Sequence, residues 1–110
     1  MASQKQVILR GDYLAILNKA AEEGITACLI FMGKEMGVVR VFMVDGQIRK
    51  IDSTWGVGRN ELDRILEWRN GMCRIKTLTP EEIEELKEKN IVMTSGELIL
   101  KLENYGTSKG

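Results

Sequence analysis

The chain has 110 residues, of which 44% are hydrophobic and 29% are charged, a composition typical of a single globular domain. Its sixteen basic and sixteen acidic side chains cancel. This balance disfavours a nucleic-acid binder, because phosphate neutralisation drives that class of affinity. No apolar run approaches the roughly 20 residues that span a bilayer, and the first residues lack a signal-peptide pattern. We therefore expect a cytoplasmic protein that does not contact a membrane.

The first quarter of the chain predicts a strand followed by a helix. Residues 1–5 have no periodic pattern and are expected to be frayed, and residues 6–9 are predicted to form a short strand. A helix is predicted at residues 13–23, because leucine and alanine recur there at helical spacing. Asp12 is a suitable N-cap for this helix, and Gly24 provides the left-handed residue that ends it.

Two strongly apolar strands are predicted next, at residues 25–32 and 38–44. Asp45 and Gly46 then form the strongest short signal for a hairpin, which leads into a strand at residues 47–52 and gives Gly46 a structural role. The first two strands are apolar at successive positions, so both of their faces need cover. Either helices pack on both sides of the sheet or a partner chain covers one side, and we expect a homodimer.

The segment after the hairpin predicts a loop and a short helix. Residues 53–58 are rich in serine, threonine and glycine, and Gly58 is expected to turn the chain into the helix. Asn60 is predicted to cap that helix, Trp68 to anchor it in the core, and Gly71 to end it.

The remaining elements are a strand and two helices. Residues 72–78 alternate between apolar and charged side chains, as a strand with one solvated face does. Thr79 begins a capping box for a helix at residues 80–89, and Thr94 begins a second one for the last helix. Residues 105–110 are expected to form a tail. The whole pattern predicts one α+β domain, with a mostly antiparallel sheet of roughly four to five strands and helices packed on it.

No catalytic, metal-binding or cofactor-binding residues are predicted. The chain has no histidine, and its two cysteines, Cys28 and Cys73, lie in apolar runs where reduced, buried thiols are common. Two cysteines without histidine do not complete a tetrahedral zinc site within one chain. The carboxylates of Asp52, Asp63 and the 81–85 run form no acid–base pair in contrasting environments. We therefore expect no enzymatic activity.

Trp55 is the strongest candidate for contact with a partner. It lies in the loop at residues 53–58, where nothing local requires its burial. Exposed tryptophans are frequent hot spots of protein binding. Together with Val57 and Arg59 it forms the predicted partner surface.

Two other classes of function stay open. A small-ligand or nucleotide sensor would use loop 53–60, where Gly56 and Gly58 precede a predicted helix N-terminus that can bind an anion. The third glycine of the dinucleotide fingerprint is replaced by Glu61, however. A winged-helix-like nucleic-acid binder would use the hairpin at residues 38–52 as its wing.

The order of these motifs resembles a known family. A leucine-rich helix, a strand containing an aromatic residue, an Asp-Gly turn, a Trp-x-x-Gly segment and a leucine-rich last helix follow one another. The matching positions are residues 13–21, 38–44 with Phe42, 45–48, Gly58, Leu62, Leu66, 68–73 and 94–103. This order resembles the PATAN-type domain of bacterial signalling proteins, a domain of unknown function often found beside response-regulator receiver domains in surface-motility and phototaxis systems.

The chain departs from that family pattern at four positions and in one insertion. Alanine replaces glycine at position 27, isoleucine and glutamate replace alanine at positions 51 and 61, and cysteine replaces phenylalanine at position 73; the helix at residues 79–90 is additional. The resemblance implies a non-catalytic adaptor or regulatory module that acts through protein–protein contact, without a cofactor.

Overall fold

The structure is a computed structural model that describes residues 6–109 of the chain. Its strands are β1 (Gln6–Asp12), β2 (Ala27–Met32), β3 (Val38–Val44), β4 (Gln47–Ser53) and β5 (Asn70–Lys76). Its α-helices are α1 (Tyr13–Glu23), α2 (Leu62–Trp68), α3 (Pro80–Lys87) and α4 (Ser95–Lys109). The predicted α+β fold with a mostly antiparallel sheet is confirmed, and the sheet has five strands.

The sheet has the strand order β1-β5-β2-β3-β4, and every neighbouring pair is antiparallel. The predicted hairpin between β3 and β4 is confirmed. It turns at Asp45 and Gly46, whose φ angles are 53° and 81°. A Cβ atom on Gly46 would lie 2.9 Å from the Cα atom of Gly24, so this position requires glycine for its conformation and for its space.

The main hydrophobic core lies between one face of the sheet and the helices α1, α2 and α4. Its buried side chains include Leu17, Leu29, Phe31, Val41, Leu66 and Leu98. Tyr13 packs edge-on against Phe31, with ring centroids 4.8 Å apart. The Tyr13 hydroxyl lies 2.6 Å from the carbonyl oxygen of Met32 and 2.8 Å from that of Met72. It therefore ties the start of α1 to the adjacent strands β2 and β5.

A smaller cluster covers the opposite face of β2 and β3. It consists of Cys28, Val44, Leu78 and Leu86, with Leu86 supplied by α3. Helices thus lie on both sides of the two apolar strands, which explains their continuous apolar sequence. The expected homodimer was based on an uncovered face of these strands, so it loses that support, and dimerisation itself stays a prediction.

The predicted boundaries of the helix before β5 are wrong. A 3₁₀ turn at Arg59–Glu61 comes first, and α2 begins at Leu62 without a side-chain cap, so Asn60 is not its N-cap. Arg69, with a φ of 71°, leaves the helix instead of Gly71. Gly71 belongs to β5, where a Cβ atom would lie 2.6 Å from the Tyr13 hydroxyl. Its structural role is thus to make room for that hydroxyl.

Other boundaries shift because of pairing between distant segments. β1 extends to Asp12, which pairs with Asn70, and β5 correspondingly begins at Asn70. The predicted tail is helical as far as Lys109, and the expected fraying of residues 1–5 lies outside the described residues. The two predicted capping boxes are confirmed: Thr79 and Glu82 cap α3, and Thr94 and Glu97 exchange the same two hydrogen bonds at α4.

Candidate protein-interaction surface

Three large apolar side chains are exposed at one end of the sheet. Trp55 is 48% exposed, Val57 is 75% exposed, and Met36, which precedes the glycine packed against Trp55, is 94% exposed. Arg64 and the half-buried Trp68 adjoin the ring of Trp55. We refer to the surface formed by these five residues as the tryptophan surface.

A chain of hydrogen bonds fixes the loop that carries Trp55. The Ser53 hydroxyl accepts hydrogen bonds from the backbone N–H groups of Trp55 and Gly56, at 3.0 and 3.1 Å. The same hydroxyl donates to the carboxylate of Glu61. Glu61 in turn accepts a hydrogen bond of 2.9 Å from Nε of Arg64. The loop conformation is thus set by side chains on both sides of the 3₁₀ turn.

Two side chains contact the indole ring of Trp55 and hold it in place. The guanidinium carbon of Arg64 lies 4.4 Å from the ring centroid, which is within the range of a cation–π contact. The ring of Trp68 lies 6.2 Å away at an interplanar angle of 58°, a tilted aromatic pair. Since Arg64 also binds Glu61, the ring is linked to the same network that fixes the loop.

The turn between β2 and β3 is shaped to receive both tryptophans. A Cβ atom on Gly33 would lie 2.1 Å from the indole of Trp68, and one on Gly37 would lie 1.9 Å from the indole of Trp55. Both positions therefore require glycine for space. The 3₁₀ segment between them holds Met36 with a φ of 63°, a left-handed conformation that non-glycine residues rarely adopt.

The loop also holds one largely covered carboxylate, that of Glu61, which is paired with Arg64. The side chain of Glu61 is only 14% exposed. Its hydrogen bonds from Ser53 and then from Arg64 lower the pKa of Glu61 below its ordinary value. Glu61 is therefore negatively charged at neutral pH, which opposes the binding of an anion at this loop.

A shallow groove of about 570 Å³ lies beside Trp68. Its lining residues come from the β2–β3 turn and the start of β5: Met32, Gly33, Lys34, Arg69, Asn70, Gly71 and Met72. The groove combines the apolar edge of Trp68 with the cationic side chains of Lys34 and Arg69. It can therefore accept a side chain that extends past the tryptophan surface.

The structure separates the three residues predicted to form the partner surface. Trp55 and Val57 are exposed on the loop, as a partner surface requires. Arg59 lies 3.8 Å from the carboxylate of Glu97 and borders a different groove along α4. The sequence pattern missed Arg64 and Met36, because both come from segments that are distant from the loop in sequence or lie beyond the next turn.

Trp68, which was predicted to anchor its helix in the core, is half-buried. It packs against the main core and also contacts Trp55. The residue therefore supports the exposed tryptophan from beneath. Trp68 is the last residue of α2, which places it next to the turn that leads into β5.

Other features of the chain concern metal binding, cysteine reactivity and membrane insertion. Within residues 6–109, no three cysteine or acidic side chains come together as they do around a metal ion. Cys28 and Cys73 are both buried, as predicted. Burial raises the pKa of the Cys28 thiol to about 11 and that of the Cys73 thiol to about 12. Over the same described range, no helix has the length and apolar character needed to cross a membrane.

Comparison with protein families, with curated proteins and with solved structures finds no match for the chain. The resemblance to the PATAN-type domain accordingly stays a prediction from the order of motifs.

Proposed function

We propose that this chain is a non-catalytic, cytoplasmic signalling or adaptor module that binds a protein partner through the tryptophan surface. The observation that carries this proposal is the state of Trp55, which is half exposed and yet held by Arg64, Trp68 and the Gly37 turn. Tryptophan and arginine are the residues most enriched at binding hot spots. A ring already fixed in place loses little conformational entropy when a partner binds.

The surroundings of Trp55 favour a partner with an apolar centre and an acidic rim. Met36 and Val57 add exposed apolar side chains to the same surface. Lys34 and Arg69 line the adjoining groove. An apolar side chain resting on Trp55, with a carboxylate directed toward the groove, would satisfy both features.

The resemblance stated above supports the same class of function. PATAN-type domains occur beside response-regulator receiver domains, so a signalling protein is the partner that the resemblance implies. Apart from this class of partner, the proposal depends only on the geometry around Trp55.

The two alternative functions have weaker support. The carboxylate of Glu61 lies inside the loop that a nucleotide sensor would use. The hairpin that a winged helix would use is part of the sheet. Its exposed Arg40 is bound by Asp52 through two hydrogen bonds of 2.7 Å. The loop therefore carries a carboxylate where an anion would bind, and the Arg40 side chain of the hairpin is already paired with a carboxylate.

The proposal is tested by affinity capture from the native organism with wild-type protein and two variants. Trp55→Ala removes the central ring, and Leu100→Ala removes an apolar side chain on α4 that is 57% exposed. We expect Trp55→Ala to lose a captured protein that Leu100→Ala retains. With that protein purified, Trp55→Ala should weaken binding by roughly 30-fold, as the loss of a hot spot of about 2 kcal/mol does.

Two results would contradict the proposal. One is a partner that binds wild type and Trp55→Ala equally well. The other is binding of a mononucleotide or of duplex DNA in calorimetry by wild-type protein, which would instead support one of the alternative functions. Near-UV circular dichroism of each variant checks that the fold is retained.

A further inference from the structure

One edge of the sheet, β4, is covered by other segments, and among the described residues the other edge, β1, is open. The outer edge of β4 is covered: the Ile48 N–H donates to the Met93 carbonyl at 2.8 Å, and the Val92 N–H donates to the Ile48 carbonyl at 2.8 Å. Further along the strand, the Gly58 N–H donates to the Ile51 carbonyl at 2.9 Å. Within residues 6–109, β1 has β5 on one side and no strand on the other. An uncovered edge is a template for another strand.

The open edge is also apolar. Val7 is 50% exposed, Ile8 is 55% exposed and Leu9 is 37% exposed. Open edges usually carry charged side chains or proline, which prevent pairing with other chains. In β1 the exposed charged residues, Arg10 and Asp12, come only after this apolar segment. Here the register places Val7 and Leu9 opposite Ile75 and Cys73, on the main-core face of the sheet. The side chain of Ile8 points to the other face, since side chains alternate along a strand.

An apolar groove runs beside this edge on the main-core face. It has a volume of about 290 Å³ and lies between α1 and the strands β1, β5 and β2. Leu9, Ile16, Ala20, Ile25, Leu29 and Ile75 line it. Its charged residues, Lys19 and Glu23, have opposite charges and lie 4.0 Å apart, so the groove has no net charge.

We propose that two copies of the chain associate through β1, antiparallel and about a twofold axis at Ile8, to form one continuous ten-stranded sheet. The strand is its own complement in this register. Val7 lies opposite Leu9 of the second copy, Ile8 lies opposite itself, and Gln6 lies opposite Arg10. All three exposed apolar side chains are paired, and no like charges face each other.

The two neighbouring registers are less suitable. A shift of the axis to Leu9 would place Ile8 opposite Arg10 and Val7 opposite Gly11, and a shift to Val7 would place Ile8 opposite Gln6. A twofold axis between residues would pair side chains on different faces. The occupant is therefore a second copy of this chain, because the same patch serves both partners in a closed dimer. This interface does not include the tryptophan surface, and the two proposals are independent.

Replacement of Ile8 by cysteine tests the position of the axis. Directly opposed residues in an antiparallel pair have Cα atoms about 4.5–5.5 Å apart, a distance that allows a disulfide. We expect Ile8→Cys to form a disulfide-linked dimer on mild oxidation, while Leu100→Cys, equally exposed on α4, does not. The native thiols are buried and do not compete.

Charge replacement at the same residue tests whether the interface holds the dimer together. Sedimentation of the wild type should show a dimer. Ile8→Lys and Ile8→Glu should each sediment as monomers, because like charges would meet at the axis, and an equal mixture of the two should restore a dimer. Trp55→Ala should leave the dimer intact. Far-UV circular dichroism verifies that the charged variants are folded.

The proposal is overturned if the wild type stays monomeric over the whole concentration series. It is also overturned if a dimer persists unchanged in both folded charge variants, or if Ile8→Cys cross-links no faster than Leu100→Cys. A monomer that instead binds an apolar peptide along β1 would show that the edge serves another chain.

Discussion

Glu61 links the conformation of the Trp55 loop to pH. The hydrogen bonds from Ser53 and Arg64 lower its pKa on folding. The charged carboxylate therefore stabilises the folded loop at pH values above its ordinary pKa of 4.5, and this stabilisation is lost as the pH falls below 4.5. We expect the tryptophan fluorescence of wild-type protein to change in that acid range.

The variant Glu61→Gln should remove this acid transition, because it cannot change its charge. Glu97→Gln is the matched control, since the pKa of Glu97 is also lowered, by its hydrogen bonds with Thr94 on α4. The control should keep the fluorescence change. An identical acid transition in wild type and Glu61→Gln would show that another group controls the loop.

The two thiols should be unreactive in the folded protein. Burial raises their pKa values to about 11 at Cys28 and about 12 at Cys73, and the thiolate is the form that reacts. A bulky maleimide should therefore label neither residue in native buffer and both in denaturant. Rapid native labelling of either cysteine would mean that its strand opens locally.

At the scale of secondary-structure elements, any side chain at Gly46 in the β3–β4 turn should destabilise the fold. Its positive φ and the nearby Cα atom of Gly24 both oppose a Cβ atom, so Gly46→Ala should lower the free energy of unfolding by about 1–3 kcal/mol. Gly96→Ala is the control. Its Cβ atom would meet only the Thr94 hydroxyl at 4.0 Å, and alanine in a helix should add about 0.5 kcal/mol. Urea denaturation measures both, and equal effects would contradict the steric explanation.

Local motifs predicted helix boundaries well where the residues that set a boundary are neighbours in sequence. Asp12 and Gly24 delimit α1, and the capping boxes delimit the starts of α3 and α4, because the groups that bond there are neighbours in sequence. The end of α2 was predicted wrongly. Gly71 looked like a helix end, yet it is glycine because the Tyr13 hydroxyl, 58 positions earlier, occupies the space of a side chain.

In the candidate site, likewise, the sequence predicted the residue that stands out locally but not its distant contacts. Trp55 stood out because a loop rich in small polar residues does not require its burial. Its contacts with Arg64 and with the Gly37 turn arise between segments that no local pattern connects. Arg59 was placed beside Trp55 by sequence distance alone, and the 3₁₀ turn directs it to α4 instead.

For the molecule as a whole, the two hydrophobic clusters should differ in stability. The cluster under α3 has four buried residues, whereas the main core joins three helices to the sheet. We expect Leu86→Ala to cost about 2 kcal/mol and Leu98→Ala about 4 kcal/mol, since a large core collapses less around a cavity. Chemical denaturation measures the two costs.

Hydrogen exchange provides an independent check of the same difference. Amides of α3 should exchange through local opening at a lower free energy than those of α1. Equal protection of the two helices would show that the small cluster unfolds only together with the main core.

The position of β5 between β1 and β2 also affects how the chain folds during synthesis. Of the strands in residues 6–109, β1 leaves the ribosome before the others, but its partner spans residues 70–76 and is made after β2, β3 and β4. The meander β2–β3–β4 can pair as soon as it emerges, while the apolar residues of β1 must wait. We expect ribosome-bound chains that end before residue 70 to be cleaved by protease near β1, and chains that expose β5 to be protected there.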